Sequence, residues 1–289
     1  MQAPILIAGP TASGKTALAL EMASRHSGAV INADSIQVYR ELRILTARPT
    51  PEEEAVAPHH LFGHVSVTDA YSVGRWLADA EAALAWCRDA GRRPVIVGGT
   101  GLYFKALLEG LAPVPPVAAD VRTRWRHEAE TQGAGVLHTI LTQRDPEMAL
   151  RLKPADLQRI VRALEVLDST GVSLAVWQRM RGEPLIREAD AERYVIVRDR
   201  EAVRARCDVR FDAMMAAGAL EEARALLALN LDPALPAARA HGLRALHRYL
   251  RGEIDLDAAI AAGKLETRQY VKRQETWIKR HMIAWNHIS

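Results

Sequence analysis

The sequence predicts an α/β fold: a parallel sheet with a phosphate-cradling loop after its first strand, a helical insertion, and helices at the C-terminal end. Three observations predict it. Short apolar runs at 5–8, 29–33, 94–97 and 194–197 read as buried strands. Segments of helical period lie between them, the pattern of βα units around a parallel sheet. The stretch 112–193 opens on the breaker Ala112-Pro113-Val114-Pro115-Pro116 and holds no strand-like run before Tyr194. The expected division is therefore a core of 1–111 and 194–289, with 112–193 as a helical insertion domain.

The first strand ends in Gly9-Pro10-Thr11-Ala12-Ser13-Gly14-Lys15-Thr16, which spells G-x-x-x-x-G-K-T between a strand and a helix. This is a P-loop, so the core is P-loop NTPase-like. Its glycines let backbone N–H groups converge on one anion, and the helix N-terminus adds partial positive charge. Lys15 reaches terminal phosphate oxygens and the Thr16 hydroxyl faces Mg²⁺. Such a loop admits ATP, another nucleotide, or a different phosphorylated ligand. Ala17, Leu18, Ala19 and Met22 are the expected packing residues of the helix that follows.

The second strand delivers Asp34-Ser35-Ile36-Gln37 beside the P-loop, because strand ends next to the first loop form the ligand crevice. Asp34 then reads equally as a catalytic carboxylate, a helix cap or a Mg²⁺ ligand. Residues 41–70 look irregular, and His59-His60 lacks partners at metal-ligand spacing. Residues 72–90 form a helix that Gly91 ends. The third strand enters Gly98-Gly99-Thr100-Gly101-Leu102-Tyr103, a second glycine loop expected to turn backbone donors and the Thr100 hydroxyl toward a ligand. A triphosphatase would place an Asp at this strand end to hold Mg²⁺, and the chain has Gly98 there instead. No N-K-x-D for guanine occurs either.

Within the insertion, Leu157, Ile160, Val161, Leu164 and Leu167 share an apolar helix face, with Gln158, Arg159 and Arg162 beside it. A solvated face and a set of phosphate contacts are both open for those polar residues. After the fourth strand a helix carries Arg204, Arg206 and Arg210, with Phe211, Met214 and Met215 as expected core. The last helix, about 256–282, has a seam of Ile260, Thr267, Val271, Gln274 and Ile278. Residues 264–281 hold six Lys and Arg against two Glu, more than the +3 surplus of the whole chain. A basic stripe with Tyr270 and Trp277 at its edge points to a polyanion partner.

At 289 residues, 49% hydrophobic and 25% charged, the composition is that of a globular protein and excludes a disordered chain. Two separated cysteines form no disulfide or zinc spacing and favour a reducing compartment. No run is apolar enough to span a membrane, and a cytoplasmic protein is expected.

Taken together, several motifs resemble one family, the tRNA dimethylallyltransferases (tRNA isopentenyltransferases), in a short bacterial form. They are the P-loop, Asp34-Ser35-Ile36-Gln37-Val38-Tyr39-Arg40, Thr46-Ala47-Arg48-Pro49 and Gly98-Gly99-Thr100-Gly101-Leu102-Tyr103. To these add Gln158-Arg159-Ile160-Val161-Arg162-Ala163-Leu164-Glu165-Val166 and Thr267-Arg268-Gln269-Tyr270-Val271-Lys272-Arg273-Gln274. Leu45, Arg48, Phe62-Gly63 and Leu243 depart from the family's usual residues. The resemblance implies transfer of a dimethylallyl group from its diphosphate to N6 of the adenosine beside the tRNA anticodon. It implies Asp34, Thr100, Lys15 and Arg206 as catalytic residues, Gly9 to Thr16 as the diphosphate clamp, and Mg²⁺ on Thr16. It implies tRNA contacts from Asp34, Ser35, Ile36, Gln37, Arg122, Gln158, Arg159, Ile160, Val161, Arg162, Arg239, Arg244, Arg268, Lys272 and Arg273. Gln37 would read the target base, and the chain would act as a monomer. A P-loop small-molecule or nucleotide kinase is the alternative enzyme, but it leaves the basic C-terminal helix unexplained. A nucleotide-dependent RNA-binding switch is the non-enzyme alternative, and its guanine or Walker-B signatures are absent.

Overall fold

The computed structural model describes residues 2–180 and 182–289, so Met1 of the expected core and Arg181 at the end of the expected insertion helices lie outside the described residues. In chain order the elements are β1 (Ile5–Ala8), α1 (Lys15–Arg25), β2 (Gly28–Asn32), α2 (Pro51–Glu54), β3 (His59–His60), α3 (Val73–Asp89), β4 (Arg93–Gly98) and α4 (Gly101–Glu109). Helices α5 (Ala119–Arg144), α6 (Pro146–Arg151), α7 (Leu157–Thr170) and α8 (Leu174–Trp177) follow. The chain closes with β5 (Glu192–Ile196), α9 (Arg200–Ala216), α10 (Ala219–Ala228), α11 (Leu243–Leu250), α12 (Leu256–His281) and β6 (Asn286–Ile288).

The six strands form one parallel sheet in the order β3-β2-β4-β1-β5-β6. Ile5, Leu6 and Ile7 of β1 are wholly buried, as expected of a strand covered on both faces. Register places Ala8 beside Gly98 on one side and Val195 on the other, and Asn32 beside Val97. The C-terminal ends of β1, β2, β4 and β5 therefore open on one edge. There they release Gly9, Ala33, Gly99 and Val197 into the P-loop, the Asp34 turn, the Thr100 loop and Arg198. A single edge of the sheet thus assembles every loop that the sequence marks for chemistry.

The chain divides into two compact units, one of 1–108 with 185–289 and one of 109–184. The second begins and ends earlier than the expected 112–193. Leu185 and Ile186 both donate backbone hydrogen bonds to the Leu107 carbonyl, which holds the approach to β5 in the larger unit. The smaller unit has its own core, in which Leu137 and Leu141 of α5 pack with Ile160, Ala163, Leu164 and Val166 of α7. Gly133, with φ +75°, breaks α5 into two helical pieces.

Other details differ from the sequence reading. Residues 41–70 are not wholly irregular, since α2 is capped by a Thr50–Glu53 capping box and β3 pairs with β2. Strand β6 went unread because Asn286-His287-Ile288 is too short and polar to show a strand pattern, and it forms by pairing with β5. Of the residues expected to pack α1, Leu18, Ala19 and Met22 do so, joined by Ala23, and Ala17 alone is exposed.

The 43–47 loop is held from α10. The Glu222 carboxylate accepts the backbone N–H groups of Arg43, Ile44 and Leu45 at 2.8, 2.7 and 2.9 Å. Removing it strands three donors in a half-buried loop. Glu222→Ala is expected to destabilise the protein by about 3 kcal/mol in urea unfolding, and a change below about 0.5 kcal/mol would show that the loop needs no anchor.

Candidate active site

The P-loop has the form its sequence predicts, with Gly14 left-handed at φ +98° directly before α1. Ala12 is also left-handed at φ +62°, a strained position for a residue with a Cβ. Not every amide of the loop is free. Thr11 N–H donates to Gln274 Oε1 at 2.9 Å, and Ser13 N–H donates to the Pro10 carbonyl at 3.3 Å. The amides of Gly14, Lys15 and Thr16 remain, at the open N-terminus of α1. Arg198 Nε donates to the Ser13 carbonyl at 3.3 Å. The guanidinium groups of Arg198 and Arg206 both reach this turn, since a methyl on Gly14 would lie 3.9 and 3.8 Å from them.

Asp34 is built by its neighbour. Asn32 is fully buried, and its side chain accepts from Asp34 N–H and donates to the carbonyls of Asp34 and Leu61. This rigid turn presents the Asp34 carboxylate, one oxygen of which accepts Ile36 N–H at 3.1 Å. The other oxygen has no hydrogen-bond partner among the described residues. Thr100 Oγ1 accepts Ser35 N–H at 2.9 Å and so fixes the next residue of the same turn.

Lys15, Asp34, Gln37 and Arg210 share one open cleft. Its other walls include Ile36, Leu45, Phe211, Met214, His241 and Tyr270. Burial lowers the Lys15 ammonium pKa to about 8, with Asp34 pulling the other way. Burial also depresses Arg210, again opposed by Asp34, and pushes the Tyr270 hydroxyl up, helped by Asp34. His241 is lowered by burial and by Arg273, and its Nε2 is buried without a partner. The result is a carboxylate between two desolvated cations beside an anion-binding turn. It can hold a phosphate group at one end and accept a proton next to it.

The protein matches the family models described as IPP transferase over residues 37–281 and Isopentenyl transferase over residues 3–58. It is 54% identical to a tRNA dimethylallyltransferase of Azorhizobium caulinodans, over 97% of this chain and 90% of that protein. It is 53% identical to another from Parvibaculum lavamentivorans, over 99% and 90%. The chain belongs to the tRNA dimethylallyltransferase family. It is a transferase by that membership. A solved eukaryotic dimethylallyltransferase acting on tRNA matches with TM-score 0.84 at 28% identity, over 98% of this chain and 71% of that one. The full-length tRNA isopentenylpyrophosphate transferase of Bacillus halodurans matches with TM-score 0.71 at 30% identity, over 100% and 90%.

Several residues that the family resemblance implied are placed differently from what a contact surface needs. Ile160 is wholly buried in the core of the smaller unit and cannot touch RNA, because it sits on the apolar face of α7. Val161 is partly buried against the same core. Arg159 and Arg162 pair with Asp156 and Glu165 at 3.5 and 3.6 Å, while Arg122 and Gln158 are exposed. Gln37 spends its amide donors on the Thr46 and Ala47 carbonyls at 2.9 and 3.1 Å, leaving only its oxygen for a base. The basic face of α12 is partly neutralised. Arg268 binds both oxygens of Asp208 at 2.9 and 2.7 Å, and Lys264 pairs with Asp212 at 2.7 Å. Lys272 and Arg273 stay exposed, Arg273 over the Tyr270 ring, and Arg239 and Arg244 are exposed as well.

In the second glycine loop Thr100 N–H donates to the Ala33 carbonyl and the Thr100 hydroxyl to Ser35 Oγ, both at 3.2 Å. Gly99 and Gly101 admit α12, because a Cβ there would lie 2.1 Å from Gln274 Nε2 and 2.3 Å from the Trp277 ring. Gln274, Asn32, Arg198, Arg210 and His241 were missed as site residues. Gln274 carried a signal, a glutamine in a mostly apolar seam; Asn32 acts through the turn it makes with Asp34 and Leu61, and the others through contacts that are distant in sequence.

The folded protein binds the Lys15 proton less tightly than the unfolded chain does. The buried charge therefore costs stability at and below about pH 8, and the cost fades as pH rises from about 8 toward 10.5. Lys15→Met is expected to be more stable than the parent by up to about 3 kcal/mol at pH 7, with the difference shrinking by pH 10. Denaturant melts at the two pH values check this, and a pH-independent difference would show that Lys15 is not desolvated.

Proposed function

We propose that the chain transfers the dimethylallyl group of dimethylallyl diphosphate to N6 of the adenosine adjacent to the anticodon in tRNA, releasing diphosphate. The observation that carries this reading is the unpaired Asp34 oxygen beside Lys15 and the open P-loop turn, with Gly98 in place of a metal-binding carboxylate. The names of the relatives and the matching family models support it over the kinase alternative.

The adenosine N6 attacks C1 of the prenyl donor, the C1–O bond breaks, and the N6 proton passes to Asp34. General-base help of this kind gives roughly 10²–10⁴ in rate. The leaving diphosphate is stabilised by Lys15, the Gly14, Lys15 and Thr16 amides, and Arg206, with Arg198 as a further donor. Anion binding restores full protonation of Lys15. Thr100 positions Ser35 and so the Asp34 turn, and Gln37 offers its oxygen to the base amine. The Thr16 hydroxyl makes no hydrogen bond, and no cluster of three or more metal-ligating side chains occurs among the described residues. Thr16, with its hydroxyl at the open N-terminus of α1, is the residue that would hold Mg²⁺ beside the diphosphate. When bound it would offset charge on the leaving group.

For tRNA, the exposed Arg239, Arg244, Lys272 and Arg273, with Arg122, Gln158, Arg159 and Arg162 of the smaller unit, supply phosphate contacts. No helix among the described residues is long and apolar enough to cross a membrane. A monomer acting in the cytoplasm completes the proposal.

Labelled dimethylallyl diphosphate with unmodified tRNA is the direct test. Label is expected in tRNA from the parent, and Asp34→Asn should lower transfer at least about 100-fold while diphosphate affinity holds. ATP hydrolysis in place of transfer would sink the reading, and lost diphosphate affinity would move Asp34 to metal binding.

The two kinds of cation on α12 separate in a salt titration. Lys272→Ala should reduce the slope of log affinity for tRNA against log salt by about 0.7–0.9. Arg268→Ala should leave that slope nearly unchanged, since its charge is already paired with Asp208. Equal effects on the slope would mean that the Asp208 pair opens on RNA.

A further inference from the structure

We infer that Phe211 and Met214 of α9 form the end wall of the prenyl site and set its length at five carbons. This rests on the transfer reading above and names a specificity determinant within it. Cys207, Arg210, Phe211 and Met214 recur at helical spacing and all line the cleft. Arg206, one residue before Cys207 and about one turn before Arg210, reaches the P-loop at Gly14. Helix α9 therefore runs away from the phosphate end, with Phe211 about 7 Å and Met214 about 12 Å further along its axis. A dimethylallyl chain spans three carbon–carbon bonds end to end, roughly 4 Å at about 1.5 Å per bond. A ten-carbon homologue adds four more bonds, roughly 5 Å at the same bond length. A tail leaving the P-loop along α9 fits before Phe211 at the shorter length and meets it at the longer one.

The wall is apolar where a prenyl tail needs it. Phe211, Met214, Leu45 and Ile36 all line the cleft, and none of these side chains can read a base. The groups that can, the Gln37 oxygen, His241, Thr267 and Tyr270, line other parts of the same cleft. The Phe211 ring also has nowhere to retreat. It is seated on two glycines, since a Cβ on Gly263 would lie 2.2 Å from its Cζ and one on Gly242 would lie 2.7 Å from its Cε2. Backbone of α12 and of the turn before α11 thus backs the ring directly, and backbone does not yield as a side chain would. Phe211, which looks like plain core at 2% exposure, is a fixed stop rather than packing alone.

The test compares transfer of five-carbon and ten-carbon prenyl groups, from dimethylallyl and geranyl diphosphate, to unmodified tRNA. The parent is expected to use only the shorter donor. Phe211→Leu, Met214→Ala and Phe211→Ala are expected to raise the ten-carbon over five-carbon ratio of kcat/KM by at least about 10-fold, since each methylene accommodated in an apolar pocket is worth that much or more. Phe211→Leu and Met214→Ala keep most of the packing, so the test survives if Phe211→Ala fails to fold. An unchanged ratio in both milder variants, each still transferring dimethylallyl, overturns the inference. A raised KM for tRNA with an unchanged prenyl ratio also overturns it and gives Phe211 to the base. A parent that transfers neither group overturns the transfer reading itself, and an outcome confined to the variants leaves that reading intact.

Discussion

One buried side chain ties the site together. Gln274 projects from α12, is 6% exposed, accepts Thr11 N–H with its oxygen and donates to the Gly99 carbonyl with its nitrogen. It thereby bridges the P-loop to the loop after β4. A buried amide must satisfy both ends, and here each end takes a backbone group that would otherwise be orphaned. The bridge removes Thr11 N–H from the phosphate cradle, which concentrates anion binding on Gly14, Lys15 and Thr16. It also fixes where α12 crosses the sheet edge, and with it Thr267, Tyr270 and the Gly263 seat under Phe211. The shape of the cleft follows from that one contact more than from the P-loop itself.

The electrostatics follow from the same burial. Lys15 and Arg210 are both depressed by desolvation, and Asp34 is the carboxylate that opposes the depression of each. Two cations and one carboxylate leave the site short of negative charge until an anion arrives. A diphosphate supplies it and frees Asp34 from serving as the only counter-ion. The carboxylate then faces the incoming amine with one oxygen still unpaired. Anion binding and proton acceptance are coupled through three side chains that share one poorly solvated volume.

The fold was legible because its signals are local. Apolar runs at 5–8, 29–33, 94–97 and 194–197 coincide to within a residue or two with strands β1, β2, β4 and β5, and the helix expected over 72–90 is α3, capped by Ser72. Strands β3 and β6 were illegible, since two or three residues carry no period and exist only by pairing with β2 and β5. In the site, the P-loop and Asp34 lie on contiguous motifs and could be read directly. Asn32, Arg210 and His241 could not, because each matters through a contact made far along the chain or a turn built in three dimensions. Ile160 shows the opposite error: a residue inside a recognised motif is there for packing.

Charge on α12 makes the same point about what a count of cations means. Six Lys and Arg in 264–281 read as one RNA-facing stripe. In the fold, Arg268 and Lys264 are bound to Asp208 and Asp212 of α9, on the side of α12 that faces that helix. Those pairs are half-exposed, so each adds little net stability, but together they hold α12 in register along α9. The register matters because α9 carries Arg206 at the phosphate end and Phe211 and Met214 further along, while α12 carries Gln274, Tyr270 and Gly263. Sliding one helix past the other by a single turn would unseat Phe211 and break the Gln274 bridge together. The inner cations of the stripe thus fix the geometry of the cleft, and the outer ones, Lys272 and Arg273, are left to meet a polyanion.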